Sequence, residues 1–101
     1  MIIEYIRYTI PTDQSAAFEL AYGKAQSALL ASTHCLGYDI SRCVEHPEHY
    51  TVRILWNSAE GHLTGFRHSP EFQTFFTAVQ PFFNRIDEMQ HYQPTTIAKM
   101  K

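Results

Sequence analysis

The residues best suited to chemistry lie in one stretch, residues 50–83. The only tryptophan, Trp56, is followed six residues later by His62, and phenylalanines recur from Phe66 onward. A histidine titrates near neutrality and can accept a proton from a bound molecule. Apolar walls around one polar group are typical of pockets for small organic ligands. We therefore predict a flat pocket with Trp56 and His62 as candidate catalytic residues, and with Phe66 and Phe76 as substrate-binding walls.

Three further candidates lie on the predicted first and last strands. Tyr5 and Arg7 share one face of the first strand, because side chains alternate along a strand. If that face meets the helices, both enter the pocket, and Arg7 could stabilise a developing oxyanion. His91 and Tyr92 point to opposite faces of the last strand, so one of them should face the cavity. The periodicity leaves open which one, and His91 is our candidate for substrate binding.

Each of these residues also has a purely structural interpretation. Trp56 and the phenylalanines could simply form the core. His62 could be a buried histidine that is bonded to a carbonyl. His46 and His49 flank Pro47 and Glu48, which is ordinary turn chemistry. Since no third and fourth ligand can be placed beside this pair, we predict no metal site.

Hydrophobic periodicity and turn residues predict four strands and two helical regions. Thr12 or Asp13 is a candidate N-cap for the first helix, Asn57 and Glu60 form a capping-box pattern, and Ser69-Pro70 restarts the second helical region. Gly61 and Gly65 should make the helix that starts near Ser58 short and weak. The predicted ranges are strands 2–10, 36–45, 50–56 and 85–93, a helix over 13–32, and helical segments from 58 and from 70, the last ending at Pro81.

The order β-α-β-β-α-β predicts an α+β, ferredoxin-like fold: a four-stranded antiparallel sheet with both helices on one face. Tyr50, Val52, Ile54 and Trp56 should form the buried face of the third strand. The first strand has apolar residues on both faces, so its second face also needs a cover. We therefore predict a homodimer in which two sheets pack face to face.

Composition bounds the remaining possibilities. A chain of 101 residues predicts one domain, 1–101, and 14% aromatic residues are more than a small core usually hides, which favours a ligand cavity or a subunit interface. A net charge of -2 without basic runs argues against nucleic acid, and no apolar run is long enough to cross a membrane. Cys35 and Cys43 would lie roughly 26 Å apart along an extended strand, too far for a disulfide. Free thiols and the absence of a signal sequence predict a cytoplasmic protein.

Three motifs together resemble the antibiotic biosynthesis monooxygenase family of dimeric α+β barrels. They are CLGY at 35–38, WNS at 56–58 and SPEF at 69–72. The resemblance implies a monooxygenase that oxidises a flat aromatic, such as a quinol or an anthrone, with dioxygen and with no cofactor. In the anthrone-oxidising branch an Asn precedes the Trp by four residues and a Tyr follows it by six. Here those positions hold Val52 and His62, so His62 is the candidate base.

Two alternatives remain open. The haem-degrading branch is similar in its Trp-Asn-x-x-Glu and Ser-Pro-x-Phe patterns, but it needs an axial His where this chain has Phe76. Phenylalanine cannot ligate iron, so haem binding or degradation is the weaker reading. The other alternative is a non-catalytic module that binds a hydrophobic ligand. No glycine-rich phosphate loop is present, so no nucleotide cofactor is predicted.

Overall fold

The computed structural model describes all 101 residues and has the predicted element order. The strands form one antiparallel sheet in the order β2-β3-β1-β4, and the two α-helices cover one of its faces. The strands are β1 (Ile2–Thr9), β2 (Cys35–Arg42), β3 (His49–Trp56) and β4 (Ile86–Tyr92), and the helices are α1 (Ser15–Ala31) and α2 (Pro70–Val79). Short 3-10 turns precede α1 and follow α2, at Thr12–Gln14 and Gln80–Arg85. The ferredoxin-like α+β prediction is confirmed.

The core lies between the sheet and the helices. Tyr50, Val52, Ile54 and Trp56 of β3 are all buried, as their alternation predicted. Opposite them, β1 contributes Glu4, Ile6 and Tyr8 to the same face through antiparallel pairing. From α1, Phe18 packs its ring against four other aromatic rings, those of Tyr8, Tyr22, Tyr50 and Phe82. An aromatic core of this kind fixes the position of β1 relative to α1.

The segment between β3 and α2 differs from the predicted weak α-helix. The cap is the Ser58 hydroxyl, which accepts a hydrogen bond from the Gly61 amide at 2.8 Å, and the predicted Asn57–Glu60 box is not formed. Residues Gly61–Phe66 then wind as a π-helix. A Cβ on Gly61 would lie 2.0 Å from Asn57 Oδ1. A larger residue at this position would require the exposed Asn57 side chain to shift.

The other face of the sheet is not covered by a helix. Arg53 of β3 and Asp39 of β2 form an ion pair there at 2.5 Å, as expected for an arginine that alternates with Trp56. Ile3, Tyr5 and Leu55 lie on the same face and are half-buried. No helix of the chain combines the length and the apolar character needed to cross a membrane.

Candidate active site

A cavity of about 260 Å³ lies between the helix-covered face of the sheet and the π-helical segment with α2. Most of its lining is apolar, including Phe66 and Phe76, the two predicted walls. Its polar or titratable lining residues are Glu4, Tyr8, Tyr22, His62 and Arg67. A small apolar chamber with a few convergent polar groups is the usual form of a ligand site.

Trp56 and His62 form the centre of this chamber. Trp56 is the last residue of β3 and is fully buried. The His62 ring stacks on the Trp56 indole, with centroids 4.5 Å apart and planes 12° from parallel. Phe66 lies about one turn further along the π-helix, and its ring centroid is 4.9 Å from that of the same indole. The predicted grouping of these three residues is therefore what the structure contains.

A buried carboxylate completes the group. Glu4 of β1 is only 2% exposed, and its Oε1 accepts a hydrogen bond from Trp56 Nε1 at 3.1 Å. Burial raises the pKa of Glu4, although the Trp56 hydrogen bond and the charges of His91 and Arg67 act in the opposite direction. The sequence prediction missed Glu4. Glu4 could have been found because it shares a strand face with Ile6 and Tyr8, and a carboxylate on a buried face is rare unless it has a bonding partner there.

His62 connects this carboxylate to a second histidine. Its Nε2 lies 3.5 Å from Glu4 Oε1, and its Nδ1 shares a hydrogen bond of 2.7 Å with His91 Nε2. The pKa of His62 is lowered to about 4, chiefly by burial, and the charges of His91 and Arg67 act in the same direction. His62 is therefore neutral at physiological pH. Its Nε2 forms no hydrogen bond within the chain, and it carries the lone pair in the tautomer whose Nδ1–H donates to His91.

His91 resolves the ambiguity on the last strand. The β1–β4 register places it opposite Glu4, on the helix-covered face, with its Nε2 3.8 Å from Glu4 Oε2. Tyr92 pairs with Ile3 and lies on the open face. The His91 side chain is 32% exposed, whereas those of Glu4 and His62 are buried. The three side chains thus form a continuous polar path from the chamber wall to solvent.

Tyr5 and Arg7 do not enter the cavity. They alternate with Glu4, Ile6 and Tyr8 and so lie on the open face of the sheet, contrary to the prediction that depended on the opposite orientation. Tyr5 packs edge-on against Tyr92, and Arg7 lies 3.7 Å from Glu88. The guanidinium at the cavity belongs instead to Arg67, which the sequence prediction had not singled out.

The cluster also has the donor set of a metal site. One donor atom each from Glu4, His62 and His91 lies within 4.8 Å of the other two. Two imidazoles and a carboxylate can hold Zn²⁺ or a non-haem iron. His62 uses different ring nitrogens toward Glu4 and toward His91, so the side chains would have to move before all three could hold one ion. The present distances fit a hydrogen-bonded relay better than a formed coordination sphere.

Comparison with known proteins agrees with this architecture. Residues 1–78 match the antibiotic biosynthesis monooxygenase family. The YczJ protein of Bacillus subtilis strain 168, which is uncharacterised, is 26% identical over 76 residues, covering 75% of this chain and 80% of its own.

Solved structures of similar proteins have the same fold. A candidate antibiotic biosynthesis monooxygenase from Bordetella bronchiseptica superimposes with a TM-score of 0.81 at 26% identity, covering 93% of this chain and 96% of its own. One from Chloroflexus aurantiacus J-10-fl has the same fold, with a TM-score of 0.75 at 17% identity over 99% of this chain and 98% of its own. The chain therefore belongs to the antibiotic biosynthesis monooxygenase family.

Proposed function

We propose that this protein is a monooxygenase that oxidises a small flat aromatic, a quinol or an anthrone, with dioxygen and without a bound cofactor. The observation that carries the proposal is the Glu4–His62–His91 network beside an aromatic chamber. Such a network can remove a proton from a bound substrate and pass it to solvent. The flat walls formed by Trp56 and Phe66 suit a planar ring system.

The reaction requires the protein to deprotonate the substrate and to hold it in an apolar pocket. Removal of a proton from an anthrone-like CH₂ group gives an electron-rich carbanion. This anion reduces dioxygen and combines with it to give a peroxide anion, which takes back a proton to become a hydroperoxide. Loss of water then leaves a new carbonyl, so one oxygen atom stays on the product and the other leaves as water.

His62 is the proposed base, and Glu4 is its partner. A neutral imidazole with a pKa of about 4 is a weak base alone, because a buried positive charge is poorly solvated. The Glu4 carboxylate, 3.5 Å away, compensates that charge when His62 accepts the substrate proton. His91, hydrogen-bonded to His62 and partly exposed, then provides the exit for the proton. This division of labour follows the logic of a base oriented by a buried carboxylate.

Arg67 is the proposed stabiliser of negative charge on the substrate oxygen. It lines the cavity, its charge lowers the pKa of both Glu4 and His62, and it forms no ion pair within the chain. A free guanidinium at the cavity can donate hydrogen bonds to an enolate or phenolate oxygen as charge develops.

We also propose that the protein works as a homodimer in the cytoplasm. The open face of the sheet presents Ile3, Tyr5, Leu55 and Tyr92, and Tyr92 is 43% exposed. A second copy that packs sheet to sheet would remove these side chains from water. Two free cysteines, Cys35 and Cys43, are compatible with a reducing compartment.

The alternatives have weaker support. A cavity of about 260 Å³ is small for a porphyrin, which argues against haem degradation. A binding module without catalysis would not need a buried carboxylate beside two histidines. A metal-dependent oxygenase is the second candidate, because Glu4, His62 and His91 form a suitable donor set.

Oxygen uptake by chelator-treated protein, measured with a panel of quinols and anthrones, tests the proposal. Uptake should need the protein, should need no added metal, and should fall about a hundredfold or more in His62→Gln. His68→Gln is the matched control, because His68 is exposed and does not line the cavity. Uptake that appears only after Fe²⁺ or another divalent ion is added would favour the metal-dependent candidate. Uptake that is unchanged in His62→Gln would remove His62 from the mechanism.

A further inference from the structure

A second polar feature of the cavity has no part in the proposed proton transfer. The hydroxyl oxygens of Tyr8 on β1 and Tyr22 on α1 lie 2.6 Å apart and share a hydrogen bond. The two residues are only 1% and 2% exposed, and both line the cavity. A pair of phenols buried at a cavity wall needs an explanation, because buried polar groups are normally fully bonded.

Counting protons shows what the pair lacks. Two hydroxyl groups carry two protons, and the one hydrogen bond between them uses only one. Neither oxygen forms another hydrogen bond within the chain. One O–H group of the pair therefore has no acceptor in the protein, and leaving a buried donor unpaired is costly. A bound molecule with an oxygen acceptor would remove that cost.

The pair remains protonated at neutral pH. Burial raises the pKa of Tyr8 to about 12, and burial also raises that of Tyr22 well above its usual range. The nearby Glu4 charge acts in the same direction on both hydroxyls. The pair is thus a neutral hydrogen-bond donor and can serve a carbonyl or a phenolic oxygen.

The Tyr8–Tyr22 pair lies at a distance along the sheet from His62, the proposed base. Tyr8 follows Glu4 by four residues on the same face of β1, which places their Cα atoms roughly 13 Å apart. Buried Ile6 lies between them and also lines the cavity. The chamber therefore has an apolar floor with a proton-accepting group toward one end and a proton-donating pair toward the other.

We propose that the Tyr8–Tyr22 pair binds a carbonyl or phenolic oxygen of the aromatic ligand. The proposal rests on the proposed function only in taking this cavity as the substrate site. It narrows the substrate class to aromatic compounds that carry an oxygen remote from the group deprotonated by His62. Anthrones and hydroxylated quinols meet this requirement, whereas simple aromatic hydrocarbons do not.

The test compares 1-indanone with indane, which differ by one carbonyl oxygen. Binding is followed by the indole N–H resonance of Trp56, the only tryptophan, which lines the cavity. The proteins are wild type, Tyr8→Phe, Tyr22→Phe and the double variant. The measured quantity is the ratio of the two dissociation constants in each protein. When this ratio is compared between proteins, the different hydration of the two ligands cancels.

The ratio should favour the ketone about three- to tenfold more in wild type than in the double variant. Each single variant keeps one hydroxyl with an available proton, so both should stay close to wild type. Tyr5→Phe, on the open face of the sheet, is the matched control and should leave the ratio unchanged. A ratio that is the same in wild type and in the double variant would overturn the proposal. This is the result expected if a buried water already accepts the second proton of the pair.

A second measurement needs no variant. The carbonyl stretch of 1-indanone bound to wild type should lie at lower frequency than in an apolar solvent, because a hydrogen bond weakens the C=O bond. An unshifted stretch would overturn the proposal even if the double variant fails to fold. Neither measurement involves turnover, so a protein without oxygenase activity can still pass both tests, and an active oxygenase can fail them.

Discussion

Replacing His62 by glutamine should make the stability of the protein less sensitive to acid. The pKa of His62 is lowered from 6.5 to about 4 in the folded protein, so the unfolded chain binds a proton in this range that the native state does not bind. The stabilisation is therefore complete above about pH 6.5 and is lost as the pH falls toward 4. Each pH unit in that window is worth about 1.4 kcal/mol, so wild type should lose about 3 kcal/mol more than His62→Gln between pH 7 and pH 4.

Glu4 makes a contribution of the opposite sign. Its pKa is raised on folding, so the stability that it contributes is present below its ordinary value of 4.5 and is lost as the pH rises through the folded value. Because the Glu4 contribution runs opposite to that of His62, a greater loss of stability in wild type than in His62→Gln as the pH falls reports the histidine.

The assay is urea unfolding followed by far-ultraviolet circular dichroism at half-unit pH steps. His68→Gln removes an exposed histidine and should keep the pH dependence of wild type. The reasoning is refuted if wild type and His62→Gln lose the same free energy of unfolding between pH 7 and pH 4.

Three further changes probe separate parts of the account. His91→Gln should lower turnover less than His62→Gln does, because His91 is the partly exposed end of the hydrogen-bonded path. Added imidazole should restore part of the lost turnover in an oxygen-uptake assay. No rescue would argue against His91 as the exit for the proton. Phe18→Ala should lower the free energy of unfolding by about 3–5 kcal/mol in urea, since Phe18 is fully buried among aromatic rings, and a loss below about 1 kcal/mol would contradict this packing. Arg53→Ala should lower the free energy of unfolding by more than about 1 kcal/mol in the same assay, because the proposed dimer covers its ion pair with Asp39, and a smaller loss would indicate an exposed pair and argue against sheet-to-sheet packing.

The fold and the grouping of Trp56, His62 and Phe66 could be predicted because their signals are local. The alternation of β3 correctly oriented Trp56, and the spacing after it correctly grouped His62 and Phe66 with the indole. The π-helical winding of Gly61–Phe66 was not predicted, because the apolar spacing of this short segment does not distinguish a π-helix from an α-helix.

The residues that were missed or misplaced depend on contacts between distant elements. Glu4 is held by the Trp56 indole, 52 positions away in the chain, so its burial was not visible in the strand pattern. Both faces of β1 carry apolar residues, and the face assigned to Tyr5 and Arg7 therefore could not be decided from periodicity. Placing His91 required the β1–β4 register, which shifts between Arg7 and Tyr8.

A double-mutant comparison of turnover tests the central claim most directly. The rate of oxygen consumption with one active aromatic substrate would be measured for wild type, Glu4→Gln, His62→Gln and the double variant. If the carboxylate and the imidazole act as one base, each single change should cost most of the activity and the double variant should be little worse than either. Independent losses that multiply in the double variant, or full activity in either single variant, would contradict the account.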